Sequence, residues 1–141
     1  GFTSTSFSLF QNTFFPDHFP KVKYNLKANP LDPSIISIGR ALFYDPILSA
    51  DNSTSCASCH SPFNAFAHTD HDLSHGIHDS IGTRNAPALF NLAWQPLFMH
   101  DGAVNHLDVQ ALAPIEHPGE MAESFANVMF NLDRNRLTML N

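Results

Sequence analysis

Five residues constrain this chain more than any others: Cys56-Ala57-Ser58-Cys59-His60. The pattern C-x-x-C-H is the attachment signature of a c-type haem. Two thiols three positions apart lie on one face of a helical turn, where both can form thioethers with the vinyl groups of one porphyrin. The next residue, His60, then offers its imidazole to the iron as the proximal ligand. Cys56 and Cys59 are the only cysteines in the sequence. A zinc site would need a second ligand pair at suitable spacing, and a thioredoxin-like redox pair would follow a strand in a βαβ pattern. Neither context is visible. The plain alternative is a disulfide between the two thiols.

A chain of 141 residues is long enough for one domain with a sizeable core. Only 14% of it is charged, against about 25% in an average domain, and 43% is hydrophobic. The net charge is −6, so no basic patch suits a phosphate backbone and nucleic acid is not an expected partner. No apolar run is long enough to span a membrane. Nine histidines outnumber the seven lysines and arginines, which points to a metal or proton-handling site, or to a surface covered by something else.

Residues 1–28 read as an N-terminal arm. Six of the thirteen phenylalanines (Phe2, Phe7, Phe10, Phe14, Phe15 and Phe19) fall here among Ser, Thr, Asn and Pro, with neither strand nor helix periodicity. The arm is expected to pack irregularly over the domain or to dock on a partner. Residues 29–141 read as the haem domain. Asp32-Pro33 forms an N-cap with proline at N1, Ile35, Ile38, Ala41 and Leu42 keep helical spacing, and Asp45-Pro46 stops the helix. Residues 61–85 hold few apolar side chains and predict a long loop. Within it, His68, His71 and His75 are expected to be solvated imidazoles near Asp70, Asp72 and Asp79. Ala86–Ala93 predicts a short helix. Asn105 predicts the cap of a helix through Leu107, Val109 and Leu112 that Pro114 ends. Ser124 predicts the cap of a last helix with Phe125, Val128, Met129 and Leu132 on one face. The class is mainly α: a cytochrome c-like haem domain with long loops.

In order along the chain stand Ile38-Gly39-Arg40-Ala41-Leu42-Phe43-Tyr44-Asp45-Pro46, the haem motif, Gly82-Thr83-Arg84-Asn85-Ala86-Pro87, His100-Asp101-Gly102, Gln110-Ala111-Leu112-Ala113-Pro114-Ile115 and Glu120-Met121. This succession, across roughly residues 29–130, resembles the N-terminal, peroxidatic haem domain of the bacterial dihaem cytochrome c peroxidase and MauG family. The resemblance implies an oxidoreductase that reduces H2O2, or another small oxidant, to water with electrons from a donor protein. It implies that Glu120 is the distal acid, Gln110 its neighbour over the haem, and Asn85 a ligand of a Ca2+ ion between two haem domains. It also implies a periplasmic or extracytoplasmic location, since haem is attached to such motifs outside the bacterial cytoplasm. No signal peptide opens the sequence at Gly1-Phe2-Thr3-Ser4, so a processed chain is expected.

The chain departs from the family at three places. It carries one C-x-x-C-H where the family has two, so the expectation is one covalent haem, with a second haem domain absent or supplied by a partner subunit. His100 stands where the family usually has a tryptophan before Asp-Gly, and Trp94 is expected in the core. The distal iron ligand is open: His78 lies beside the position of a family histidine, whereas Met121 follows His60 by 61 residues, a spacing that suits an axial methionine. Met121 carries the rival reading, a monohaem electron-transfer cytochrome c. A third reading, a haem subunit of a larger redox assembly, is compatible with either.

Overall fold

The computed structural model describes residues 17–138, and side chains are described as far as residue 134. Helix α1 spans Pro33–Tyr44. Asp32 caps it, its Oδ1 accepting from the amides of Ser34 (2.8 Å) and Ile35 (3.1 Å). Proline at N1 costs nothing there, because its missing N–H would have had no intrahelical partner. Asp45 turns extended and ends the helix. Its Oδ1 then accepts from Ile47 N–H at 2.9 Å and starts a single 3-10 turn over Pro46–Leu48. Only the C-terminal end of α1 reaches the core. Leu42 packs inward, while Ile35 and Ile38 stay 68% and 60% exposed.

Helix α2 is one turn, Cys56–Cys59. Ser55 donates its backbone N–H to Ser58 Oγ at 3.1 Å, which satisfies a donor at the helix start. Helices α3 (Leu107–Gln110) and α4 (Leu112–Glu116) stand where the sequence predicts one helix. The expected cap and stop both fail. His106, with extended backbone, occupies the N-cap position instead of Asn105. Pro114 sits at the third residue of α4, inside a first turn that needs no amide donor there. The long helix α5 spans Phe125–Thr138, and Ser124 Oγ accepts from Asn127 N–H at 3.2 Å, as its sequence predicts.

No helix forms over Ala86–Ala93; the one helical piece nearby is the 3-10 turn Leu92–Trp94. Pro87 disfavours helical backbone at Ala86, and Asn91 adopts left-handed φ of 56°. No strand occurs among the described residues. Instead, isolated antiparallel bridges close three loops at Ser61–Ala67, His75–Ile81 and Phe98–Val104. The mainly α expectation holds, with long irregular connections between short helices.

The core is small: Leu48, Ile115, Met121 and Val128, with Leu42, Ile47 and Leu132 packed against it. It joins α1, the Pro46–Leu48 turn, α4 and α5, and Met121 brings the loop 117–123 into it. Residues 17–29 bond to Ala93, Trp94 and Asp108. Lys23 and Tyr24 both donate backbone N–H to the Ala93 carbonyl (2.9 and 3.0 Å). The Tyr24 hydroxyl donates to Asp108, and Asn29 Nδ2 donates to both (2.8 and 3.1 Å). Trp94 is half-buried rather than central. Its Nε1 donates to the Pro20 carbonyl at 2.7 Å and its ring meets Phe19 edge-on. Phe2, Phe7, Phe10, Phe14 and Phe15 lie outside the described residues. Among the described residues, no helix is long and apolar enough to cross a membrane.

Candidate haem-binding site

His60 closes α2, its backbone N–H donating to the Cys56 carbonyl at 2.9 Å. Its ring Nδ1 lies 2.9 Å from the Phe66 carbonyl oxygen. A carbonyl can only accept, so Nδ1 carries the proton and Nε2 keeps its lone pair for a metal. A backbone partner of this kind fixes the tautomer and the orientation of a ligating histidine. Ala65 and Phe66 both have left-handed backbone, φ 55° and 58°, and this tight turn brings the Phe66 carbonyl back onto the ring. Left-handed residues other than glycine cost of order 1 kcal/mol each.

Both thiols are free and partly buried. Burial pushes the Cys56 thiol above its ordinary pKa; burial, and then the nearby Glu120 carboxylate, do the same for Cys59. They open, with His60, onto a cleft of about 550 Å³ that Gln110, Glu120 and Met121 also line. That volume is within the range of cofactor sites. Two free thiols on one turn and an imidazole with its lone pair available fit a covalent haem.

Glu120 sits in the 117–123 loop between α4 and α5, with both backbone groups engaged. Its N–H donates to the His117 carbonyl at 3.0 Å and its carbonyl accepts from Ile77 N–H at 2.8 Å. The side chain is half-exposed, 3.8 Å from His117 Nδ1. Gln110, the last residue of α3, directs Nε2 to the Met99 sulfur at 3.4 Å. Met121 reaches the cleft but is 4% exposed and belongs to the core. Asn85 also lines the cleft, and its Nδ2 donates to the His68 carbonyl at 3.0 Å. His100 is exposed at the cleft mouth.

His78 does not join this group. Its side chain is 77% exposed and 3.5 Å from Asp51 Oδ2, away from the cleft lining. Left-handed backbone at His78 and Asp79 turns the loop outward there. The structure also brings His75 and His117 to the cleft, although the sequence reads His75 as a solvated loop imidazole and His117 as a surface or capping residue. His75 Nδ1 is 2.6 Å from Asp79 Oδ1, and its ring lies tilted against that of His71, which in turn stacks on His68. His68 Nδ1 is buried without a hydrogen-bond partner. A signal for His117 existed in its place three residues before Glu120. For the Phe66 carbonyl there was none, since any residue carries one.

Helical elements around a C-x-x-C-H turn, with the following histidine aimed into a cleft, define a mainly α, cytochrome c-like haem domain. The family is more specific than the class. The profile of the di-haem cytochrome c peroxidases matches residues 33–138, and the chain belongs to that family. It is 39% identical over 112 residues to methylamine utilization protein MauG of Methylorubrum extorquens, covering 75% of this chain and 30% of that protein. It is 36% identical over 107 residues to cytochrome c peroxidase Ccp of Escherichia coli, covering 75% and 23%. Among solved structures it resembles a MauG-like protein associated with microbial copper homeostasis, with TM-score 0.75 and 31% identity over 87% of this chain and 35% of that one. The chain thus spans about a third or less of the length of these relatives.

Proposed function

We propose that this chain is the peroxide-reducing haem domain of a two-haem redox system, converting H2O2, two electrons and two protons into two waters. One observation carries the reading: a single cleft collects the haem-attachment turn and the Glu120–Gln110 pair, groups far apart in sequence. Haem c, held through Cys56 and Cys59 and ligated by His60, supplies the redox chemistry when bound. Glu120 takes the proton from the near oxygen of peroxide and returns it to the departing oxygen. Gln110 offers hydrogen bonds that orient the substrate. Residues 29–141 form this haem domain, with one haem, and residues 1–28 are its arm.

Electrons reach the site from a second haem domain and a donor protein, and the chain works outside the cytoplasm. Asn85 supplies one ligand to Ca2+ at the junction with that second domain, through the Oδ1 that its bond to His68 leaves free. The electron-carrier alternative needs Met121 on the iron. That side chain is instead committed to the core with Leu48, Ile115 and Val128.

Stopped-flow mixing of the haem-loaded protein with H2O2 tests the reading. Glu120→Gln should slow the reaction by about 100-fold or more, the low end of general acid–base contributions, with the resting haem spectrum retained. An unchanged rate would overturn it. Intact mass of the native protein, with haem counted by iron content, tests the two-haem arrangement.

A further inference from the structure

Gly76 has φ −101° and ψ −160°, an extended conformation open to other residues. Conformation therefore does not require glycine here; space does. A Cβ on Gly76 would stand 2.1 Å from the Gly119 carbonyl oxygen, 2.7 Å from Glu120 Cα and 2.8 Å from the Glu120 carbonyl oxygen. All three are backbone atoms, so no side chain can swing aside. The next residue makes the link explicit. Ile77 donates its N–H to the Glu120 carbonyl at 2.8 Å, and its side chain is 5% exposed, which anchors the loop. On the preceding side, the His75 carbonyl lies 3.4 Å from Cys59 Sγ. Three consecutive residues, 75 to 77, thus connect the sulfur at the attachment turn to the backbone of the acid.

We propose that Gly76 is a positioning residue for Glu120. Its lack of a side chain lets the 75–82 loop lie flush against Gly119–Glu120, and this contact sets the distance between the Glu120 carboxylate and the group anchored at Cys59. The inference rests on the role given to Glu120 above. Shifting a catalytic group by about 1 Å can cost about 100-fold in rate, so a Cβ forced into a 2.1 Å gap is a sensitive probe.

The experiment compares Gly76→Ala, Glu120→Gln and the double variant in the haem-loaded full protein. Gly76→Ala should lower the peroxide rate constant by about tenfold to 100-fold and add nothing to Glu120→Gln, because a positioning residue acts only through the group it positions. Hydrogen exchange followed by mass spectrometry should show faster exchange in Gly76→Ala for peptides covering 75–80 and 117–121. Should Gly76→Ala fail to fold, Ile77→Ala, which loosens the same loop without a clash, takes its place in the same cycle. Full activity in a folded variant, or a loss that multiplies with that of Glu120→Gln, overturns the inference. An inactive Gly76→Ala beside an unimpaired Glu120→Gln would instead remove the catalytic reading of Glu120.

Discussion

His60 Nδ1 and the Phe66 carbonyl oxygen lie 2.9 Å apart, and that contact decides which nitrogen of His60 is available to a metal. The bond spans six residues and depends on the left-handed pair Ala65 and Phe66. It supports the ring from behind, so Nε2 is presented without a search among rotamers.

His60→Gly separates attachment from ligation. Cys56 and Cys59 should still hold haem covalently, visible as haem staining after denaturing electrophoresis. The resting absorption spectrum should change, and the reaction with peroxide should be lost. A variant with the native spectrum would show that His60 is not the iron ligand.

Asp32 is the sole side-chain cap on α1, accepting from Ser34 and Ile35 amides. Asp32→Ala should lower stability by about 1 kcal/mol, whereas Asp32→Asn should stay close to native, since asparagine caps equally well. Thermal denaturation read by circular dichroism measures both. Equal losses in the two variants would mean that charge, not capping, is what matters there.

The cluster Tyr24, Asn29 and Asp108 tethers the segment 17–29 to α3. The Tyr24 hydroxyl holds the Asp108 carboxyl below its usual range, while partial burial and then the bond to Asp108 raise the Tyr24 phenol. A depressed carboxylate stabilises the fold above its ordinary pKa and loses that effect as pH falls through the lowered value. A raised phenol stabilises below the ordinary tyrosine range and loses its effect as pH rises through the raised value. The tether should therefore hold across the intervening range and release at both extremes. At neutral pH, Tyr24→Phe should speed trypsin cleavage after Lys21, Lys23 and Lys27. Hydrogen exchange of residues 17–29 in the native protein should rise on acidification below the carboxylate range and rise less in the variant.

Burial raises both thiols, and the Glu120 carboxylate adds to the effect at Cys59. In chain produced without haem, iodoacetamide should therefore alkylate the folded protein more slowly than the denatured one at the same pH, by roughly several-fold, because the thiolate is the reactive form. Glu120→Gln should accelerate Cys59 more than Cys56. Equal acceleration would mean that Glu120 does not act on Cys59 selectively. The sign for stability follows: a raised thiol favours the fold below its ordinary range, and that contribution fades as pH climbs through the raised value.

Much of the local architecture could be read from residue chemistry alone. Asp32-Pro33, Asp45-Pro46 and Ser124 act as helix signals because each works through hydrogen bonds or ring constraints within three residues of itself. The Ala86–Ala93 helix does not form because Pro87 and the left-handed Asn91 outweigh the helix-forming alanines and leucines. Asn105 and Pro114 misled for a related reason: α3 and α4 are separate single turns, so a proline expected as a stop became part of a start. Trp94 was expected in the core because large aromatics usually go there, yet it serves as the seat for Phe19 and Pro20.

The site divides in the same way. Cys56, Cys59 and His60 stand out because the C-x-x-C-H pattern is a local requirement, met within five consecutive residues. Glu120, Gln110 and Asn85 could be assigned only through resemblance, since nothing in their own neighbourhoods announces a shared cleft. The sequence by itself determined where two thiols and a histidine share one turn, that the fold is mainly α, and where α1 and α5 begin. Tertiary structure alone decided that Phe66 supports His60, that His78 turns out toward Asp51, and that Gly76 must be small to meet Glu120. The physical reason is range. Caps, prolines and thioether spacing act over a few residues, whereas backbone-to-backbone contacts between loops carry no side-chain signature and arise only when the chain has closed on itself.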